Sequence, residues 1–195
     1  NEVGSVQPVE EAAKIVKQYN PKILFHSDAV QGYGKYHIYP KRLGIDMLSA
    51  SGHKIHGPKG TGFLYISDKV KIVSIAYGGG QQKNVRSGTE NVPGIAGLGL
   101  ASKMIYQDLD MKVALMRELK AHFLKGLENL ENTTVHGLTD ENSAPHIISV
   151  GIAGVRSEVL LHALEEKGIY VSSGSACASN HPAISGVLKG IGAAR

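Results

Sequence analysis

The chain has 195 residues, of which 42% are hydrophobic and 19% charged, a length of roughly 1.3 average domains and a composition that excludes wholesale disorder. No run approaches the ~20 apolar residues of a membrane span and no secretory signal pattern opens the chain, so an integral membrane protein is excluded and the cytoplasm is the expected compartment. A net charge of +4 is too small and too scattered to argue for direct nucleic-acid binding, and the lone Cys177 can form neither an internal disulfide nor a multi-thiolate zinc site.

Pro8 to Tyr19 reads as a helix. Pro8 suits the first turn, Glu10 and Glu11 suit the positive end of the dipole, and Val9, Ala12, Ala13, Val16 and Tyr19 form an apolar face. Asn20-Pro21 breaks it. Lys22 to Ser27 reads as a buried strand with Asp28 at its carboxyl end. Asp46 to Ser51 is a second strand, running straight into Gly52-His53-Lys54, and Thr61 to Ile66 a third. Helix and strand alternating at this spacing predict an α/β protein with a mainly parallel sheet.

A long helical region is expected from Pro93 to Leu130. Its first half is rich in small residues (Ala96, Gly97, Gly99, Ala101) and suited to close packing. Its second half carries Leu115, Leu119, Phe123, Leu127 and Leu130 at helical spacing. Strands are expected at Thr133–His136, Ile147–Ile152 and Ile169–Ser172, with a helix over Ser157–Lys167. A domain boundary inside the long helix gives one domain over residues 1–105 and a smaller one over 106–195.

Four clusters could carry chemistry. Asp28, with Gln31 beyond it, stands at the carboxyl end of a strand, where α/β sheets place ligands; it could equally cap the following turn. Ser51-Gly52-His53-Lys54 opens a glycine-rich loop that also holds His56 and Lys59. Small residues and hydroxyls around a lysine suit an imine-forming amine with phosphate donors beside it, or simply a surface anion site. The histidines lack companions for a metal. The segment from Gly78 to Asn91, including Arg86 and Thr89, is an anion site or an ordinary polar loop. Finally, Cys177 lies among Ser173, Gly174, Ser175 and Ala176, too small to bury it, and is either an exposed nucleophile or an accident of sequence.

Taken together and in order, Asp28-Ala29-Val30-Gln31, Ser51-Gly52-His53-Lys54, Arg86-Ser87-Gly88-Thr89 and Ser173-Gly174-Ser175-Ala176-Cys177 resemble the NifS/IscS-like cysteine desulfurases, pyridoxal-phosphate enzymes of the aminotransferase class V group. The residues after Cys177 are similar to the long cysteine loop of that branch. The resemblance implies part of a fold-type I large domain, followed by part of a smaller α+β domain that carries the cysteine loop. It also implies that Lys54 carries pyridoxal phosphate, that Asp28 pairs with its ring nitrogen, and that Gln31 bonds its phenolic oxygen with Asn1 close by. Ser51 and His53 donate to the phosphate, and Thr89 reaches the phosphate of the neighbouring subunit in a homodimer. L-cysteine is the implied substrate. Lys54 then shuttles the proton at Cα, while the Cys177 thiolate takes the substrate sulfur as a persulfide and alanine leaves.

The implied acceptor is an iron–sulfur scaffold, whose cluster Cys177 would contact only transiently, or a tRNA-thiolation protein. No resident metal is expected. A selenocysteine lyase, or another enzyme of the class V aminotransferase family, would share most of these residues. The chain opens at Asn1 and ends at Arg195, ahead of the family's substrate-carboxylate arginine. It is therefore expected to be about the second half of such an enzyme, incomplete by itself.

Overall fold

Immediately after Pro8 begins α1 (Val9–Tyr19), with Glu10 and Glu11 in its first turn and Lys17 in its last, the charge order a helix dipole favours. Val9, Ala12, Ala13 and Val16 turn inward, but Tyr19 is 86% exposed because the helix ends there and Asn20 is already extended. The computed structural model describes residues 1–174 and 185–193. It divides into two compact units: Pro8–Lys112, and Asn1–Gln7 together with Val113–Arg195.

In the first unit, β1 (His26–Asp28) begins four residues later than the apolar run from Lys22 predicts. Phe25 just precedes the ladder, although its carbonyl accepts from Asp46 N at 2.9 Å and Met47 N at 3.2 Å. A single turn, α2 (Pro40–Leu43), ends on Gly44 at φ 71°, and β2 (Met47–Ser51) and β3 (Gly62–Ile66) follow. β2 lies between the other two. It runs parallel to β1, with Asp28 opposite Ser49, and antiparallel to β3, with Ser51 opposite Gly62. Among the described residues this sheet is therefore mixed rather than mainly parallel. Residues 52–61 turn the chain back directly, without the crossover helix that a parallel partner requires. Ala29, Ile45 and Leu48 are buried at the centre, packed by Val9, Phe25 and Phe63.

The long helical region is two helices, α3 (Val92–Tyr106) and α4 (Leu109–Leu127). Asp108 breaks it by taking φ 56°, and Lys112 Nζ donates to the carbonyls of Met104 at 2.7 Å and Gln107 at 2.6 Å. Those are orphan acceptors at the end of α3, satisfied from the next helix. The Asn91 side chain caps the start of α3 by accepting from Gly94 N at 3.1 Å.

In the second unit, β4 (Thr133–His136) pairs antiparallel with β5 (Ser149–Ile152), and α5 (Ser157–Glu165) and α6 (Gly186–Gly190) follow. The amino-terminal residues join it through Ala144 N, which donates to Gly4 O at 2.7 Å. Lys120 of α4 is buried and donates to Ser143 Oγ, Ala144 O and Ile147 O, each at 2.9 Å. Leu115, Leu119 and Phe123, which recur at helical spacing, are each at least half exposed. Ile169–Ser172, expected as a strand, is unpaired among the described residues, and Tyr170 is 80% exposed.

Candidate active site

The parallel pair β1 and β2 sends two chemically distinct groups out of the same end of the sheet. Asp28 is the last residue of β1. Its carboxylate Oδ1 accepts from Val30 N at 2.9 Å, and Ala29 N donates to Ser49 O on β2 at 2.9 Å. The turn-capping role is therefore present: one oxygen orders the turn, and the side chain remains exposed. The following turn is closed by Gly32 N and Tyr33 N donating to Ala29 O at 3.0 and 2.7 Å, and it holds Gln31 partly buried.

β2 ends at Ser51, and a single 3-10 turn, Gly52–Ile55, carries His53 and Lys54. Gly52 N donates to Thr61 O at 2.8 Å, Gly57 N to Gly52 O at 2.8 Å, and Thr61 Oγ1 to Pro58 O at 2.6 Å, so the loop is closed on itself. α3 is its floor. A Cβ on Gly97 would stand 2.7 Å from Pro58, one on Gly52 3.1 Å from Leu98, and one on Gly57 3.3 Å from Ala101. This is where the small residues of α3 are needed. Gly97 and Ala101 serve the contact, whereas Ala96 and Gly99 face away. Ile55, only 2% exposed, locks the turn into the core, while Lys54 beside it is partly buried and Lys59 is exposed.

Asp28, Gln31, Ser51, His53 and Lys54 are therefore gathered at one end of one sheet. Thr89 belongs to the same unit but stands exposed on the loop before α3. That loop is ordered by Ser87 Oγ donating to Gly79 O at 2.7 Å and Gly88 N to Gln81 Oε1 at 3.2 Å. Asn1 belongs to the other unit, and Cys177 lies outside the described residues. Among the described residues no cluster of His, Cys, Asp and Glu could hold a metal ion.

Sequence reasoning missed Lys35. It follows Gly34, whose φ is 77° and whose missing Cβ would stand 2.8 Å from Ile55 Cγ2. Tyr106 of α3 holds the same turn, accepting from Gly34 N and donating to Tyr36 O, both at 3.2 Å. Burial first, and the charge of Lys54 second, hold the Lys35 ammonium below the ordinary lysine range. The available signal was the pair of glycines flanking Tyr33, which marks a turn forced close against another element.

The aminotransferase class-V family model matches residues 1–192. A putative cysteine desulfurase IscS 1 of Bacillus subtilis (strain 168) is 44% identical over 96% of this chain and 49% of its own length. The cysteine desulfurase IscS of Dictyoglomus turgidum is 39% identical over 98% of this chain and 48% of its own. A solved NifS-like protein superposes on the whole chain and on 50% of its own, with a TM-score of 0.88 and 38% identity. The chain thus spans about half the length of the curated relatives it matches, and its mixed α/β fold is that of part of the NifS-like structures. It belongs to the aminotransferase class-V family.

Proposed function

We propose that this chain is the lysine- and cysteine-bearing half of a pyridoxal-phosphate-dependent cysteine desulfurase. The observation that carries the reading is the emergence of Asp28 and Lys54 from the carboxyl ends of the adjacent parallel strands β1 and β2. The donor set fits the cofactor: a carboxylate for a cationic ring nitrogen, an amine for a carbonyl carbon, and the Ser51 hydroxyl and His53 ring for a phosphate. The relatives named as cysteine desulfurases support the choice of reaction.

When bound, the cofactor supplies the electron sink for substrate Cα chemistry. The chain's own residues do the rest. Asp28, fixed by its bond from Val30 N, would pair with the ring nitrogen and keep it protonated. Gln31 would hold the cofactor through its phenolic oxygen, and Asn1 is assigned to binding the same group. Ser51 and His53 anchor the phosphate. Lys54, on a short turn packed against α3, would supply the amine that holds the cofactor and would move the proton at substrate Cα. The Cys177 thiolate would attack the substrate sulfur: a sulfur–sulfur bond forms on Cys177 as the carbon–sulfur bond breaks, the electron pair of that bond stays with substrate Cβ, Cβ takes up a proton, and L-alanine leaves.

The same reading makes the protein a cytoplasmic homodimer in which Thr89 reaches the phosphate bound by the partner subunit. Sulfur then passes from Cys177 to an iron–sulfur scaffold or a tRNA-thiolation protein. Among the described residues no helix is long and apolar enough to cross a membrane.

The test uses the longest natural form of the protein. Lys54→Ala should abolish the visible absorbance of bound pyridoxal phosphate, and borohydride should trap the cofactor on Lys54. Trapping on Lys59 overturns the assignment. Cys177→Ser should keep the absorbance while alanine and sulfide release from L-cysteine collapse; release at the wild-type rate overturns the nucleophile role.

A further inference from the structure

Two consecutive glutamines grip the chain on either side of Thr89. Gln81 Oε1 accepts from Gly88 N at 3.2 Å, and Gln82 Nε2 donates to Glu90 Oε1 at 3.1 Å. The partners fix both amides, since a backbone N–H needs an acceptor and a carboxylate needs a donor. Gly79 leaves room for the first of them: a Cβ there would stand 2.7 Å from Gln81 Oε1 and 3.2 Å from its Cδ. Successive side chains of a strand leave on opposite faces. These two reach the same three residues, and the chain departs from them through a left-handed run, with Gln82, Lys83 and Asn84 at φ 49°, 55° and 63°. L-residues adopt that conformation in sequence only at an energetic cost. Thr89, between the two bonds, is exposed. Backbone strain of this kind persists where the surrounding structure over-determines it, and it gathers at ligand clamps.

We propose that Gln81 and Gln82 are positioning residues for Thr89. Gln81 accepts from the residue before it and Gln82 donates to the residue after it, and together they hold its hydroxyl ready for a phosphate oxygen of the cofactor. The inference rests on the reading of Thr89 as the residue that reaches that phosphate in the neighbouring subunit. A hydroxyl on a free loop loses conformational freedom when it binds, and one already braced has less to lose. Ser87 ties the base of the same loop, donating through Oγ to Gly79 O at 2.7 Å and through N to Ala76 O at 3.2 Å. The glutamines therefore act on a segment whose root is already fixed. Their two roles are not interchangeable. A glutamate can accept in place of Gln81, whereas a glutamate in place of Gln82 has no proton to give and faces the like charge of Glu90.

The test takes the longest natural form of the protein, freed of cofactor, and measures binding of pyridoxal phosphate and of pyridoxal side by side by equilibrium dialysis. Pyridoxal lacks the phosphate. A general loss of folding or fit therefore weakens both ligands alike, and loss of the phosphate contact alone lowers the ratio of their affinities. Gln81→Leu and Gln82→Leu should each lower that ratio by roughly three- to tenfold, the scale of one neutral hydrogen bond. Gln81→Glu and Gln82→Glu add the same charge one residue apart, and Gln81→Glu should lose less because it keeps its acceptor. Thr89→Val should lower the ratio by itself, and Gln81→Leu added to it should lower it no further. Leucine variants at the wild-type ratio overturn the proposal, as does a further loss in the double variant or an equal loss in the two glutamate variants. A wild-type ratio in Thr89→Val defeats the reading of Thr89 and the proposal with it. A low ratio in Thr89→Val beside wild-type ratios in the leucine variants defeats the proposal alone, so the two failures are distinguishable.

Discussion

Asp46 Oδ2 gathers two donors from different elements, the Lys17 ammonium of α1 and, at 2.7 Å, the N–H of Phe25 just ahead of β1. Lys17 Nζ also donates to Ile23 O at 2.6 Å, so one partly buried ion pair ties helix, connection and sheet together one residue before β2. Asp46→Asn should lower stability by about 2–3 kcal/mol, since it leaves the Lys17 charge without its counterion. Urea denaturation of both proteins measures this.

The same group sets an acid dependence. Burial pushes the Asp46 carboxyl up, but the Lys17 and Phe25 donors outweigh it and hold it below its ordinary value. Its stabilisation is therefore complete above the unfolded carboxylate value of about 4 and is lost as pH falls through the lower folded value. The stability gap between wild type and Asp46→Asn should stay constant from neutrality down to about pH 5 and then narrow on further acidification. A gap that widens in acid would show the sign to be wrong.

Leu119 and Lys120 invert the usual hydropathy rule on α4. Lys120 is buried with three oxygen partners, while Leu119 is 59% exposed. Lys120→Met should destabilise by about 2–4 kcal/mol, because the carbonyls of Ala144 and Ile147 lose their donor. Leu119→Lys should change stability by less than about 0.5 kcal/mol. Thermal melts of the two variants side by side decide it.

Gly34→Ala tests the platform under Lys54. The substitution meets both a left-handed φ of 77° and a 2.8 Å approach to Ile55. A cost of about 1–3 kcal/mol is expected, together with weaker pyridoxal-phosphate retention. Equilibrium dialysis after refolding reads the retention.

Local pattern made some of this molecule legible and left the rest hidden. α1 and β4 are readable because alternation and helical spacing survive in a single short segment. The separation of α3 from α4 is not, because neither Gly nor Pro marks it; Asp108 tolerates the left-handed region and Lys112 supplies the cap from the far side. The inner face of α4 is likewise hidden, since a lysine at its centre finds oxygens contributed by the distant 143–147 segment. At the candidate site, glycines and a lysine after a strand are visible in one dimension. The approach of Gly34 to Ile55, and with it Lys35, exists only once the two turns have folded together.

The connection from β2 to β3 is clamped at both ends, Gly52 N to Thr61 O and Ser51 opposite Gly62. Lys54 sits inside it on a 3-10 turn. At about three residues per turn, one residue inserted between Ser51 and Lys54 would rotate the amine by ~120° about the turn axis, while the hairpin register beyond could remain unchanged. The connection is thus tolerant in composition at its exposed corner, Lys59 and Gly60, yet intolerant in length before Lys54. The spacing from strand end to amine behaves as a phase setting, and drift in this segment should proceed by substitution, never by insertion or deletion.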